Sequence, residues 1–159
     1  MTATSSTGAA SADSAPTAVV EPALPPGATR LSDGTISIPV TSVTGTARLV
    51  VRGVDFEPNV IRSRSPFTLR LRVFDTRGYA VRDALVFALG VPYSRVAAIP
   101  EARTGDDGRI TFTIQPTARF PLIRGGAMTF FVRARDPQDT LLAGVSTRRL
   151  IQVRTDRAA

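Results

Sequence analysis

From residue 34 onward, apolar and polar residues alternate with a period of two in most segments between turn signals, the signature of half-buried β-strands. Thr35–Val40 places Ile36, Ile38 and Val40 on one face, and Pro39 marks an edge or a strand end. Ala47–Val54 is a second, less regular candidate. Phe67–Phe74 is the clearest strand, with Phe67, Leu69, Leu71 and Val73 on one face and Thr68, Arg70 and Arg72 on the other. A helix would scatter those two arginines around its axis. Leu85–Leu89 is a nearly continuous apolar run and predicts a central strand. Gly90–Glu101, bracketed by Pro92 and Pro100, predicts a long loop with a short strand near Val96–Ile99. Arg109–Gln115 turns Ile110, Phe112 and Ile114 inward, and Met128–Arg135 and Thr147–Val153 complete the set. No segment has the pattern of an amphipathic helix. Short strands at these spacings predict an all-β sandwich of about seven or eight antiparallel strands, two sheets pressing apolar faces together. The aromatic residues expected in that core are Phe67, Phe87, Phe112 and one of Phe130 and Phe131, with Tyr79 and Tyr93 left to loops.

The first thirty residues differ. They are rich in Ser, Thr, Ala and Pro and hold no Phe, Tyr, Trp or Ile, too little apolar area to offset the entropy of ordering. The pattern therefore predicts a disordered linker or lead over residues 1–33, one sandwich over 34–155 and a short tail over 156–159. The first 27 residues carry neither a basic n-region nor an apolar h-region, which leaves two readings: a cytoplasmic chain, or a piece of a longer exported one. No stretch is long and apolar enough to span a bilayer.

Composition narrows the chemistry. The 159 residues include no Cys and no His. Disulfides, Cys- or His-based metal sites and nucleophile–histidine pairs are thereby excluded. All twenty basic residues are Arg, so a lysine base is absent as well. Residues 41–159 hold nineteen Arg against ten acidic residues, a balance suited to nucleic acid, anionic glycans or a membrane surface.

Residues 66–115 carry a family resemblance. Phe67–Phe74 is followed by Asp75-Thr76-Arg77-Gly78, then Val81 and the strand opening at Val86 and Phe87. After an irregular stretch comes Thr104-Gly105-Asp106-Asp107-Gly108, leading into Arg109–Ile114. This order resembles bacterial immunoglobulin-like domains of the invasin and intimin type, and is similar to carboxypeptidase regulatory-like and transthyretin-like sandwiches. The segments Gly90–Glu101 and Phe120–Gly126 depart from the family form. The resemblance implies that Asp75, Gly78, Gly105 and Gly108 form turns and that Val81 tucks back into the core. It further implies an immunoglobulin-like sandwich acting as a structural or adhesion module of a bacterial surface or secreted protein. Such a module meets proteins, glycans or neighbouring domains, or serves as a spacer. It would lie outside the cell as part of a longer exported chain, without enzymatic activity and without a cofactor.

Little else reads as chemistry. Asp106 and Asp107 supply too few of the six to eight oxygens that calcium takes, and Asp in such a position is ordinary turn chemistry. Glu57 and Glu101 are the only glutamates beyond the lead, and nothing in the pattern places them together. The candidate anion contacts are Arg70 and Arg72 on one strand and Arg133 and Arg135 on another. If the last two strands pair, Arg154 joins the latter two in a single stripe. An alternative function is therefore binding of an anionic polymer: a glycan, a cell-wall polyanion or nucleic acid. Nucleic acid is the least suited of these, since single-strand binders add exposed aromatics for stacking. A further alternative is an accessory domain of a larger extracellular enzyme.

Overall fold

The structure is a computed structural model that describes residues 23–139 and 144–157; the lead expected over 1–33 lies largely outside these residues. Eleven strands are described: β1 (Thr29–Arg30), β2 (Ile36–Pro39), β3 (Leu49–Glu57), β4 (Val60–Ile61), β5 (Phe67–Asp75), β6 (Ala80–Arg82), β7 (Leu85–Val91), β8 (Ala102–Arg103), β9 (Arg109–Ile114), β10 (Gly126–Arg135) and β11 (Thr147–Thr155). Two short 3₁₀ turns, Val40–Ser42 and Tyr93–Arg95, are the only helical elements among the described residues. None is long and apolar enough to cross a membrane.

The strands form two sheets. In the first, the order is β1-β2-β6-β5-β3, with β9 paired to β5 along the same edge as β6. In the second, the order is β4-β11-β10-β7-β8. The pairing is antiparallel except for β2 with β6 and β4 with β11, which run parallel. The two-period pattern decides which side chains meet. In β5, Phe67, Leu69, Leu71 and Val73 are buried; in β9, Ile110, Phe112 and Ile114; in β10, Met128, Phe130, Val132 and Ala134. These residues join one hydrophobic core drawn from both sheets. At one end of it Phe56, Phe67, Phe120 and Phe130 pack in tilted and edge-on contacts, with ring centroids 5.7–6.3 Å apart, the separations that the aromatic quadrupole favours.

Several expectations are revised. Ordered pairing starts before residue 34, because Thr29 and Arg30 pair with Ser37 and Ile36. Val96–Ile99 is not a strand. Val96 makes a single bridge with Pro116, and the short strand falls at Ala102–Arg103 instead. Phe87 is not a core residue: it lies half-buried on the outer face of β7, with the Arg133 guanidinium 5.4 Å from its ring centroid. The apolar run of β7 is thus divided between two faces, with Val86 and Ala88 in the core. Phe56 and Phe120 take the aromatic places that sequence reasoning did not assign.

Candidate functional site

The turn residues surround a buried centre of Asp75, Val81, Thr104 and Gly108, while Gly78 and Gly105 lie at the surface. The Asp75 side chain has no exposed surface. Its Oδ1 accepts hydrogen bonds from the backbone N–H of Arg77 and of Tyr79, each at 3.0 Å, and its Oδ2 accepts from Arg77 Nε at 2.7 Å. Gly78 closes the turn with φ +94° and donates its N–H to the Asp75 carbonyl. Val81 is fully buried. Its carbonyl accepts from Thr104 Oγ1 at 2.7 Å, and Thr104 Oγ1 in turn accepts from the Ala84 N–H. The Gly108 N–H donates to the Gly105 carbonyl and closes the second turn. Asp107 Oδ1 caps the Arg109 N–H at 2.9 Å, and Ser37 Oγ donates to the Asp106 carbonyl. These residues therefore serve folding. No group of three or more carboxylates, His or Cys is placed to share a metal ion among the described residues.

The five arginines singled out as anion contacts do not form one surface. Arg70 and Arg72 face outward from the first sheet. Arg70 pairs with Glu57 at 2.5 Å and with Asp55 at 3.7 Å. Arg72 donates to the Asp107 carbonyl at 2.7 Å, lies 3.7 Å from Asp33 and stacks over Phe74. Together with Arg109, Gly53 and Thr111 they line an open concavity of about 460 Å³, created where β3 bulges between Arg52 and Asp55. Its arginines are already neutralised, Arg109 by Asp107. Arg133 and Arg135 face outward from the second sheet and converge on Glu101, which accepts from Arg135 Nε at 3.1 Å and NH2 at 3.0 Å and lies 3.5 Å from Arg133. Arg154 does not join them. The register sets Arg133 opposite Arg148 and Arg154 opposite Ala127, so Arg154 lies at the far end of the β10–β11 pair. The stripe fails because both strands are long and antiparallel, which carries their C-terminal arginines to opposite ends.

Glu101 and its two arginines make an ion-pair cluster that is largely shielded from solvent. The hydrogen bond from Arg135 is the largest influence on Glu101 and lowers its pKa; the same bond raises that of Arg135. A carboxylate whose folded pKa is lowered stabilises the fold above its unfolded pKa and loses that contribution as pH falls through the folded value. Glu101→Gln is expected to cost about 2 kcal/mol near neutral pH, from the loss of charge-assisted bonds to two half-buried arginines. The difference between wild type and variant in urea midpoint should shrink toward acid. A difference that stays constant with pH would show that the charge on Glu101 contributes nothing.

Six further arginines gather at one end of the molecule. Glu57 opposite Thr68, Phe67 opposite Ile114, Val91 opposite Thr129 and Gly126 opposite Thr155 all mark this same pole. The connections β4–β5, β7–β8 and β9–β10 and the end of β11 meet there. They carry Arg62, Arg64, Arg95, Arg119, Arg124 and Arg154, every one exposed except Arg95, which is half-buried. Arg62 and Arg154 share a shallow hollow with Asp156. Arg64 donates to the Phe120 carbonyl and Arg95 to that of Arg119. These bonds go to backbone oxygens, and none of the six arginines has an acidic partner within ion-pair distance among the described residues. Sequence reasoning missed this cluster because its members come from four separate segments that only the topology unites.

No protein-family model, curated protein or solved structure matches this chain.

Proposed function

We propose that this chain is an immunoglobulin-like, non-catalytic module of an exported bacterial protein, one that sets distance between its neighbours and presents its loops to protein or glycan partners. The observation that carries the reading is the path of the chain through the sandwich. Pro26 accepts a hydrogen bond from Ser42, whose own carbonyl accepts from Arg77 in the β5–β6 turn. The chain therefore comes in at the pole of that turn. It leaves at the opposite one, where the Asp156 N–H donates to Ile61. A module threaded from pole to pole adds its full length to any chain that contains it. The strand order also favours the immunoglobulin-like assignment. β3 pairs with β5, whose other edge holds β9, while its short continuation β4 crosses to run parallel beside β11 in the β11-β10-β7 sheet. That resembles the two-sheet partition of such domains. The non-catalytic reading is supported by the placement of Glu57 and Glu101 beside different sheets, each held by arginine.

The test is a series of tandem copies joined end to end. Their maximum dimension in small-angle scattering is expected to grow by about 30–40 Å per copy, the length of a nine-residue strand with its loops. A dimension that grows much less, as folded-back copies would give, would exclude the spacer role.

A further inference from the structure

We propose that the arginine pole is a docking surface for an anionic lipid bilayer, a role beyond that of a spacer and independent of it. Two observations coincide there. The first is the ring of Arg62, Arg64, Arg95, Arg119, Arg124 and Arg154, whose guanidiniums have no carboxylate partner among the described residues. Among the described residues, Arg48, Arg103, Arg148 and Arg149 at the opposite pole also lack an ion-pair partner, but they share that pole with Asp75, Asp83, Glu101 and Asp136, whereas Glu57 and Asp156 are the acidic ones at the arginine pole. The second is exposed apolar surface. Tyr93 is 75% exposed and Ile123 is 63% exposed, and Val91 beside Pro92 is 44% exposed. Both Tyr93 and Ile123 sit in connections of this pole, next to the arginines: Thr117 Oγ1 ties the Tyr93 turn to the β9–β10 connection through the carbonyls of Ser94 and Arg95. Ile123 precedes Arg124 in a turn closed by the Gly126 N–H on its carbonyl.

A bilayer explains both features together. Its anionic headgroups attract the arginines, each worth about fivefold in affinity near such a surface. Its interface takes up an apolar side chain and an amphipathic tyrosine at the loop tips. A soluble polyanion would use the arginines but leave Ile123 without a role. A single-stranded nucleic acid would need a groove with several stacking rings, and Tyr93 is the one exposed aromatic at this pole among the described residues.

The experiment is cosedimentation of the chain with vesicles of phosphatidylcholine alone or mixed with phosphatidylglycerol, at low and high salt, beside binding to dextran sulfate. The expected result is binding to the mixed vesicles that weakens with salt, with none to phosphatidylcholine alone. R119E/R124E should weaken vesicle binding by at least about twenty-five-fold. Ile123→Ser should weaken it by about tenfold or more while leaving dextran sulfate binding nearly unchanged. R103E/R148E, at the other pole, serves as the control for total charge, and should cost much less than R119E/R124E. Thermal unfolding of each variant verifies the fold; should Ile123→Ser unfold, Ile123→Thr takes its place in the same comparison. No binding to phosphatidylglycerol vesicles would overturn the proposal. So would equal losses from R103E/R148E and R119E/R124E, or vesicle binding indifferent to residue 123, which would identify the ligand as a soluble polyanion. The spacer reading would survive either failure.

Discussion

Gly108→Ala is expected to destabilise the chain by about 3–5 kcal/mol, well beyond the loss from an ordinary turn glycine. Gly108 has φ +75°, in the left-handed region where a Cβ alone costs about 1–2 kcal/mol. Space makes the larger difference. A Cβ at this position would stand 2.7 Å from the Val73 carbonyl oxygen and 3.0 Å from the Val81 nitrogen. Both are backbone atoms, so no flexible side chain can swing aside. The Gly108 carbonyl also accepts the Val73 N–H at 2.8 Å, a bond that any shift of the turn would break. Three strands meet at this point. β5 supplies Val73, β6 supplies Val81 and β9 begins at the next residue. Gly78→Ala is the matched comparison, because Gly78 has φ +94° but nothing within 4 Å of its Cβ position. It should lose only the conformational part, about 1–2 kcal/mol. Urea denaturation of both variants checks the contrast. Equal losses would mean that the close approach at Gly108 relaxes freely and that the turn, not the joint, is what glycine secures there.

Gly108 also shows how far a sequence can be read. The need for a turn ahead of Arg109 is local and visible, since alternation resumes at once in Ile110, Phe112 and Ile114. The contact with Val73 and Val81 is not local, and no pattern near residue 108 encodes it. The same division runs through the molecule. Long strands with one buried face, β5, β9 and β10, are legible because their alternation is written by the core they face. The two-residue strands β1, β4 and β8 are not, because two residues have no period and are defined by their partners. Phe87 escapes a sequence reading for a related reason. An apolar run identifies a strand but not which half of it faces the core, and the outer face of the second sheet keeps Phe87, Leu89 and Phe131 half-buried beside Arg133. Arginine pairing is the least legible feature. Glu101 meets Arg135 across thirty-four positions, and Arg62 approaches Arg154 only because β4 crosses to β11.

Asp75 is the residue where local and long-range requirements coincide, and its substitution should separate them. Asp75→Ala is expected to cost about 3–5 kcal/mol. It would strip the acceptor from the part-buried N–H groups of Arg77 and Tyr79, and a buried donor left without a partner costs about 1–3 kcal/mol. It would also free Arg77, whose guanidinium bonds the Ser42 carbonyl at 3.0 Å and lies 5.2 Å from the Tyr79 ring centroid, so the link between the β5–β6 turn and the segment after β2 would loosen too. Arg77 is 39% exposed, and solvent screening keeps its ionic share small. Asp75→Asn tests that apportionment. The amide keeps an oxygen for the two backbone donors but presents hydrogens toward Arg77, so it should lose about 1–2 kcal/mol, from the charge-assisted bond alone. Stability from thermal or urea unfolding should therefore fall in the order wild type, Asn, Ala. An Asn variant as damaged as the Ala variant would show that the negative charge, rather than the acceptor geometry, holds the joint, and an Ala variant within about 1 kcal/mol of wild type would show that the turn closes without it.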